Sequence, residues 1–524
     1  MTGALRPQKV LTVAQMNAVD RATIAAGIPG IILMENAAHR VVEFIAERFG
    51  PSASQHVVVV CGKGNNGGDG LAAARILHAR YPSARVDVAL VADPSDLTGD
   101  AAANLAMLRA SGLRETTEFH PVMYRAPVVV DAVLGTGLNG PARGQALNAI
   151  RAINLLFHDA KVIAVDIPSG LAGDTPIPPG EYVRADATVT FTAPKICHAL
   201  QPARGLMGEL RVAGIGTDPA VFEEDGFVQL GLVGPTFIAP VFKPRASDSN
   251  KGRYGHVLIV AGSRGKSGAA AMAGMAALRA GAGLVTVACP ESALGAVAAF
   301  SPELMTVPLA ETASGAISRS ALPRIRELAS TLTLAAIGPG IGTDDETRAV
   351  VRDLFATLDK PLIVDADGLN CLASGDWTPH IGLRIFTPHP GEMSRLTGLT
   401  IPEVQADRIG ISRDFAQKRG VVLVLKGEGT LIAFPGGRVW INPTGSPAMA
   451  TGGTGDILTG MTAGLVAQFP KDPERAIAAA VYLHGLSGEF AARHLGEQPV
   501  IATDLLRYLP EGIRGITNVS HPVG

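Results

Sequence analysis

The residues of the first half that are best suited to chemistry follow a series of apolar runs. The run His56–Cys61 leads into residues 62–70, Gly-Lys-Gly-Asn-Asn-Gly-Gly-Asp-Gly. Two later runs end in Asp131 and Asp166, each followed by a turn that contains glycine. Glycines at such positions expose backbone N–H groups that bind anions, and clustered carboxylate and amide oxygens suit a hard cation. A single strand-end aspartate often only caps a helix, but two of them beside three glycine-containing loops favour a polar ligand site.

The second half contains the strongest single motif, the run Asn442–Asp456, which reads Asn-Pro-Thr-Gly-Ser-Pro-Ala-Met-Ala-Thr-Gly-Gly-Thr-Gly-Asp. Its last three glycines place bare N–H groups at a predicted helix N-terminus, which makes an anion hole. Asp456 could simply stabilise that helix, or it could act as an acid/base beside a phosphate, and the glycine density favours the second role. Lys426–Thr430 follows another apolar run and is predicted to bind a nucleotide phosphate, and His389 lies between two prolines at a strand end.

Alternating strands and helices must position these motifs. Continuous apolar runs predict parallel strands with helices on both faces, and therefore an α/β fold. In the first half the predicted strands are His56–Cys61, Arg85–Val91, Val128–Asp131, Lys161–Asp166 and Ala187–Phe191. In the second half they are His256–Ala261, Leu284–Ala288, Thr333–Ile337, Leu362–Asp365, Arg384–Thr387 and Val421–Lys426, and then a hairpin of Gly429–Phe434 and Arg438–Asn442. Helices are predicted over Leu71–Tyr81, after the first glycine loop, and Thr454–Ala467, and Thr12 to Gln15 reads as a capping box.

The length and one irregular stretch indicate how the chain divides. At ~100–200 residues per domain, 524 residues predict two to four domains. Residues 216–245 lack periodicity and contain four X-Pro pairs, so a boundary is expected there. We therefore expect one domain over residues 1–225 and another over residues 231–518.

Composition excludes several classes of function. Lys+Arg total 45 and Asp+Glu total 47, so no basic excess exists to neutralise a nucleic-acid backbone. The stretch 268–289 is the most apolar, but Arg279 and several glycines interrupt it, so no membrane partner is expected. Four widely spaced cysteines, none in a C-x-x-C pair, and the lack of a signal-like N-terminus predict a cytoplasmic protein.

Over roughly residues 10–220 the first set of motifs resembles that of the NAD(P)H-hydrate epimerases. This resemblance implies a Rossmann-like α/β/α domain that interconverts the R and S forms of hydrated NADH or NADPH with a bound potassium ion. It implies that the hydrated dinucleotide contacts Asn65, Asn66, Gly67, Gly68 and Asp69, and also Gly135, Thr136, Gly137, Leu138, Asn139, Gly140 and Pro141. It also implies that Asn66, Asp131 and Ser169 hold potassium and that Asp166 lies at the reacting nicotinamide as the acid/base.

Over roughly residues 231–510 the second set resembles the ribokinase-like superfamily, and within it the ADP/ATP-dependent (S)-NAD(P)H-hydrate dehydratases. The resemblance implies a ribokinase-like α/β domain in which ADP, with Mg²⁺, phosphorylates the hydroxyl of the hydrated ring and phosphate then leaves. It implies substrate contacts at Ala269, Gly340, His389 and Asp456, the last as catalytic base. It implies nucleotide contacts at Lys426, Gly427, Glu428, Gly429, Thr430 and Gly455.

Two alternatives to a bifunctional repair enzyme stay open at this point. A small-molecule kinase could carry an N-terminal accessory domain, because the same glycine-rich loop serves kinases of this superfamily. The N-terminal domain could instead be a binding or scaffold module, although the joint presence of Asp131, Asp166 and the glycine-rich loops argues against a decayed site. The expected partners are small molecules, the hydrated dinucleotides NADHX and NADPHX with ADP, and a homo-oligomeric state is expected. The residues do not decide between NADHX and NADPHX.

Overall fold

The computed structural model describes residues 6–53, 55–223, 226, 228–373, 375, 377 and 380–519. These residues form two compact units. One unit is Lys9–Gln229 and the other combines residues 6–8 with residues from Leu230 onward. The first is called the N-terminal unit and the second the C-terminal unit.

The N-terminal unit is built on a seven-stranded sheet in which every described strand pair is parallel. From edge to edge the strands are Glu115–Thr116, Arg85–Leu90, His56–Cys61, Val128–Ala132, Lys161–Val165, Ala187–Phe191 and Glu209–Ala213. Its helices are Val13–Ala25, Gly30–Ala53, Asn65–Arg80, Gly99–Ala110, Gly144–Leu156, Ile196–Ala199 and Ala220–Glu223. Apolar side chains pack on both faces of the sheet, which is the doubly covered parallel arrangement predicted from the sequence.

The C-terminal unit is built on an eleven-stranded sheet. In spatial order its strands are Gln8–Lys9, Leu230–Leu232, Val439–Ile441, Leu431–Ala433, Val422–Leu425, Arg384–Phe386, Leu362–Val364, Leu334–Ile337, His256–Val260, Leu284–Pro290 and Met305–Leu309. Its helices are Pro235–Ile238, Ser267–Arg279, Glu291–Ala298, Leu322–Ser330, Asp345–Thr357, Asp367–Ala373, Pro390–Thr397, Ile401–Ala406, Arg408–Arg419, Thr454–Gln468, Pro473–Leu495 and Ala502–Val519. The predicted hairpin is confirmed, since Leu431–Ala433 pairs antiparallel with Val439–Ile441.

The helix after the first strand begins earlier than predicted. It starts at Asn65, within the glycine-rich run, whereas the sequence predicted a loop up to residue 70 and a helix from Leu71. The glycines are needed for close packing inside this first turn. A Cβ at Gly67 would lie 1.8 Å from the carbonyl oxygen of Gly62, and one at Gly70 would lie 2.5 Å from the Cβ of Ala132. The predicted capping box is confirmed, because Thr12 and Gln15 cap the helix Val13–Ala25 reciprocally.

Small residues set the position of the helix that starts at the second glycine motif. Thr454–Gln468 packs against Ser267–Arg279, and a Cβ at Gly460 would lie 2.0 Å from the carbonyl oxygen of Ala273. Nearly every side chain from Ile457 onward in this helix is buried. The backbones can approach this closely only because no side chain lies between them, so the helix N-terminus is fixed at the carboxyl edge of the sheet.

Candidate active sites of the two units

A cavity of about 850 Å³ opens at the carboxyl ends of the strands of the N-terminal unit. In open α/β sheets this edge is where ligands bind. Among the residues that the resemblance assigned to the dinucleotide, the cavity is lined by Asn65, Asn66, Asp69, Gly135, Thr136, Gly137, Leu138, Asn139 and Asp166. Of the same assigned set, Gly67, Gly68, Gly140 and Pro141 lie outside this lining, and Gly67 and Gly68 instead pack against neighbouring chain.

Asp166 follows the strand Lys161–Val165 and has a left-handed backbone conformation, with φ of 64°. Its Oδ1 accepts hydrogen bonds from Lys195 Nζ at 2.7 Å and from Thr190 Oγ1 at 2.8 Å. Lys195 is almost fully buried and also donates to the carbonyl oxygen of Phe191. His198 Nε2 donates to the backbone carbonyl oxygen of Asp166 at 3.0 Å, and this hydrogen bond helps to stabilise the left-handed backbone conformation. The result is a buried ion pair on the cavity wall.

Charge is unevenly distributed among the carboxyl groups of this cavity. Burial raises the pKa of Asp166, but the charge and hydrogen bond of Lys195, with smaller contributions from His198 and Thr190, hold that pKa below its usual range. Burial raises the pKa of Asp69, and the charges of Asp166 and Asp20 raise it further. The pKa of Asp20 is raised as well, by burial against the opposing effect of Lys195. The ammonium therefore favours the ionised form of Asp166, whereas the surroundings of Asp69 and Asp20 shift those two carboxyl groups toward their protonated forms.

Asp131 and Ser169 lie behind the cavity wall and are fully buried. Ser169 donates to Asp131 through its Oγ at 2.6 Å and its backbone N at 2.8 Å. Asn66 Nδ2 donates to the carbonyl oxygen of Leu134 at 3.0 Å, and the backbone N of Leu134 donates to Ser169 Oγ at 2.8 Å. The three predicted cation ligands thus converge on one turn. Burial raises the pKa of Asp131 to about 6.

The corresponding edge of the C-terminal unit also contains a buried ion pair. Asp365 follows the strand Leu362–Val364, and its Oδ1 accepts a hydrogen bond from Lys426 Nζ at 2.8 Å. Its Oδ2 accepts from Thr459 Oγ1 at 2.7 Å, so both carboxylate oxygens are occupied. Lys426 also lies 3.6 Å from Glu392 Oε2. Burial lowers the pKa of Lys426, but the charges of Asp365 and Glu392 reverse the sign and raise it.

Lys426 faces the glycine-rich start of the helix Thr454–Gln468. A Cβ at Gly455 would lie 3.4 Å from Lys426 Nζ. Asp456 is in the first turn of that helix, and burial, followed by the charge of Asp365, raises the pKa of Asp456 to about 7. Three groups therefore lie together at this edge. They are an ammonium, a helix N-terminus and a carboxyl group that exchanges its proton near neutral pH. From the neighbouring helix, His484 Nε2 donates to the carbonyl oxygen of Thr454 at 2.8 Å.

The other residues assigned to the second substrate site lie on separate elements of the same unit. Ser263 Oγ donates to the carbonyl oxygen of Gly340 at 2.7 Å, and a Cβ at Gly340 would lie 3.1 Å from that of Ala269. His389 caps the helix Pro390–Thr397 by accepting from the backbone N of Gly391, which leaves its Nε2 as the protonated nitrogen. Burial lowers the pKa of His389, which favours the neutral ring.

Hydrogen bonds from two side chains, Arg408 and Thr430, stabilise the predicted nucleotide loop, residues 426–430. Arg408 donates to the carbonyl oxygens of Leu425, at 3.3 Å, and of Glu428. Thr430 Oγ1 donates to the carbonyl oxygen of Gly427 at 2.8 Å. These contacts fix the backbone of the loop that begins at Lys426.

Sequence reasoning missed Lys195, the partner of Asp166, and Asp365, the partner of Lys426. A signal was available for both. Asp365 ends a predicted strand, and Lys195 comes four residues after the predicted strand Ala187–Phe191. The strand-end rule that found Asp131 and Asp166 therefore points to both residues. Over the part of the chain that the structure describes, no cluster of three or more His, Cys, Asp or Glu side chains could hold a metal ion.

Comparisons with known proteins match both halves of the chain. A family model described as NAD(P)H-hydrate dehydratase matches residues 257–511, and one described as YjeF-related protein N-terminus matches residues 30–197. In the residues described, no helix has the length and apolar composition that a membrane span requires.

Two relatives match this chain over nearly their whole lengths. A bifunctional NAD(P)H-hydrate repair enzyme of Moorella thermoacetica is 43% identical over 520 residues and covers 97% of this chain and 97% of its own. That of Thermofilum pendens is 39% identical over 524 residues, also with 97% of each chain covered. A solved ADP/ATP-dependent NAD(P)H-hydrate dehydratase from Bacillus subtilis, co-crystallized with ATP/Mg²⁺, is 33% identical, covers 54% of this chain and 98% of its own, and has a TM-score of 0.48. The alternative of a small-molecule kinase with an N-terminal scaffold domain is not favoured by these matches. The chain belongs to the family of bifunctional NAD(P)H-hydrate repair enzymes.

Proposed function

We propose that the two units act in succession on one substrate pool. The N-terminal unit interconverts the R and S forms of hydrated NADH or NADPH, and the C-terminal unit converts the S form to the reduced dinucleotide at the expense of ADP. The observation that carries the proposal is Asp456, a carboxyl group with a pKa raised to about 7 by burial, at a glycine-rich helix N-terminus that Lys426 faces. Such a group can accept a proton beside the place where a phosphate binds.

In the dehydratase site the hydroxyl on C6 of the hydrated ring must become a better leaving group. Asp456 accepts the hydroxyl proton while the oxygen attacks the terminal phosphoryl group of ADP. Lys426 and the backbone N–H of Gly455 stabilise the negative charge that develops on the transferred group. Phosphate then leaves with the C6–O electron pair, and loss of a C5 proton restores the dihydronicotinamide. In this proposal Ala269, Gly340 and His389 hold the hydrated ring and residues 426–430 hold the nucleotide.

The C-terminal site fits a magnesium ion that arrives on the nucleotide. Asp365 and Asp367 both act electrostatically on Asp456, and Mg²⁺ needs no cluster of three protein ligands because it is commonly bound by one or two carboxylates together with substrate phosphates. Both oxygens of Asp365 already accept hydrogen bonds, whereas Asp367 accepts from Lys266 and from the backbone N of Gly342 through its Oδ2, so Asp367 Oδ1 and water molecules are the better direct ligands. When bound, the ion neutralises phosphate charge.

The N-terminal site fits a potassium ion held by Asn66, Asp131 and Ser169. Asp131 is fully buried, and among the described residues no lysine or arginine pairs with it. A monovalent cation would offset the cost of that buried charge, and carboxylate, hydroxyl and amide oxygens are the donors it prefers. When bound, the ion orders the turn at Leu134 that contributes to the cavity wall.

Three further features of the protein stay predictions within this proposal. ADP is the phosphoryl donor, by the resemblance to the two-domain enzymes. The protein is cytoplasmic, which its four free and buried cysteines support, since a reducing compartment keeps thiols unpaired. It assembles as a homo-oligomer.

One assay tests the proposed function. Purified protein is incubated with a mixture of (R)- and (S)-NADHX and either ADP or no nucleotide, and the NADH absorbance is followed. We expect complete recovery of NADH with ADP and none without it. Recovery limited to the S fraction would contradict the epimerase half of the proposal, and ADP consumption with a stable phosphorylated alcohol as product would contradict the dehydratase half.

A further inference from the structure

One wall of the N-terminal cavity comes from the helix Val13–Ala25, whose side chains have no chemical role in the epimerase site described so far. The residues of this helix that line the cavity share one face, and they are Val13, Met16, Asn17, Asp20 and Ile24. Asp20 is the one ionisable side chain on that face. It lies outside the residues matched by the family model of this unit, which begin at residue 30.

The carboxyl group of Asp20 is incompletely bonded. Its Oδ1 is buried and has no hydrogen-bond partner among the described residues. Buried polar atoms in native proteins are almost always partnered, so this oxygen needs a partner that the described chain does not supply, such as a water molecule or a group bound in the cavity that Asp20 lines. A cavity of about 850 Å³ provides the space for such a ligand.

The charged groups that face Asp20 come from three other elements. They are Lys195 after the strand Ala187–Phe191, Asp166 after the strand Lys161–Val165, and Asp69 on the helix Asn65–Arg80. Lys195 is committed to Asp166, Thr190 and the carbonyl oxygen of Phe191. Asp20 therefore shares the cavity with an ionised carboxylate while no ammonium is dedicated to it, and burial, opposed by Lys195, raises the pKa of Asp20. The surroundings thus shift the pKa values of Asp20 and Asp166 in opposite directions. Two carboxyl groups with separated pKa values are suited to opposite roles in proton transfer.

We propose that Asp20 is the general acid of the epimerase reaction and that it works opposite the carboxylate of Asp166. This inference depends on the epimerase activity proposed above and adds the second catalytic group. It explains why a carboxyl group lies on the cavity wall with one oxygen left for a ligand.

The proton transfers balance within one catalytic cycle. Asp166 accepts the proton of the C6 hydroxyl as the N1–C6 bond breaks, so C6 becomes an aldehyde carbon and the bond's electron pair goes to N1. Asp20 donates its proton to N1. Rotation about the C5–C6 bond presents the other face of the aldehyde. N1 then returns its proton to Asp20 and attacks C6, the oxygen recovers its proton from Asp166, and both carboxyl groups are restored.

The test is Asp20→Asn in the full chain, assayed with (R)-NADHX and ADP. Because a general acid contributes roughly 10²–10⁴-fold, we expect the epimerase kcat to fall by about 100-fold or more with little change in KM. Asp20→Glu keeps the carboxyl group and should retain far more activity than Asp20→Asn. The rate of the wild type should fall at high pH as Asp20 loses its proton, and this decrease should be absent from the small residual activity of Asp20→Asn.

Three controls separate the possible outcomes. Asp159→Asn makes the same chemical change at an exposed site of the same unit and should leave the rate unchanged. Thermal unfolding of Asp20→Asn should match that of the wild type, and equal loss of activity in Asp20→Glu and Asp20→Asn would overturn the proposal. Loss of the high-pH decrease in Asp69→Asn but not in Asp20→Asn would also overturn it. A wild type that leaves (R)-NADHX unconverted would instead contradict the epimerase function itself.

Discussion

Both sites contain a buried lysine–aspartate ion pair, but the pair has a different role in each site. In each unit a lysine donates to an aspartate at the carboxyl end of a parallel strand, Lys195 to Asp166 at 2.7 Å and Lys426 to Asp365 at 2.8 Å. In the N-terminal unit the paired aspartate lines the cavity and is assigned to the reacting ring. In the C-terminal unit the paired aspartate supports the lysine, and Asp456, which has no dedicated cation, is assigned to the chemistry.

This difference follows from the surroundings of the lysine in each pair. Lys195 is buried and makes its contacts with the protein, so its charge serves to keep Asp166 ionised. Lys426 faces Gly455 at the start of a helix, where its charge is available to a phosphate. Breaking the two lysine–aspartate pairs, or the carboxyl groups beside them, should therefore affect the two activities separately.

The largest effect is expected from Asp456→Asn. The change removes the base and preserves the side-chain volume, so dehydration of (S)-NADHX should fall by roughly 10²–10⁴-fold while epimerisation continues. In the wild type, dehydration should decrease as the pH falls below about 7, because the raised pKa of Asp456, about 7, means that its carboxylate then gains a proton. NADH absorbance from pure S form measures both effects, and near-normal recovery in Asp456→Asn would contradict its assignment.

A smaller effect, on stability as well as on rate, is expected from Lys195→Met. Removing one partner of a buried ion pair leaves an uncompensated charge, at a cost of about 3–5 kcal/mol. Without the ammonium the pKa of Asp166 should rise, so the epimerase rate should fall and its low-pH decrease should move to higher pH.

Lys161→Met is the matched control. Lys161 donates to Asp186 at 2.8 Å in the same unit, but its side chain is 55% exposed. Exposed pairs contribute about 0–1 kcal/mol, so this change should barely alter the free energy of unfolding. Denaturant unfolding measures the free energy of unfolding of both variants. Equal decreases in that free energy would show that Lys195 stabilises the fold no more than a surface lysine does.

The smallest effect is expected from a change of salt. When tetramethylammonium replaces potassium, epimerisation of (R)-NADHX should slow severalfold, because that bulky ion cannot enter the turn held by Asn66, Asp131 and Ser169. Conversion of pure S form by ADP should be unaffected. Equal epimerisation rates in both salts would argue against a cation at Asp131.

Central strands were predictable nearly to the residue because a short, continuous run of β-branched residues favours a buried parallel strand over a helix. His56–Cys61 and Ala187–Phe191 match their predictions at both ends. Short edge strands such as Glu209–Ala213 and Met305–Leu309 were missed, because they are partly exposed and lack a continuous apolar run. The early start of the helix at Asn65 was missed because tertiary packing, rather than local propensity, selects glycine there.

The candidate sites were predictable as far as strand ends and glycine-rich turns indicate them. Asp166 and Asp456 were identified in that way. Lys195 was missed because lysine is ordinarily exposed, and only the folded chain provides the carboxylate that allows its burial. Asp20 lies on a helix whose capping box was recognised but whose cavity-lining face could not be distinguished from an ordinary amphipathic face.

The central claim is that two independent sites on one chain act in succession on one substrate pool. It is tested most directly by mixing two full-length variants, Asp166→Asn and Asp456→Asn, with (R,S)-NADHX and ADP. Alone, Asp166→Asn should recover the S fraction plus slow spontaneous epimerisation, and Asp456→Asn should recover almost nothing. The mixture should recover all of the NADH at the rate set by the two intact sites, whereas recovery that stays at the S fraction would contradict the account.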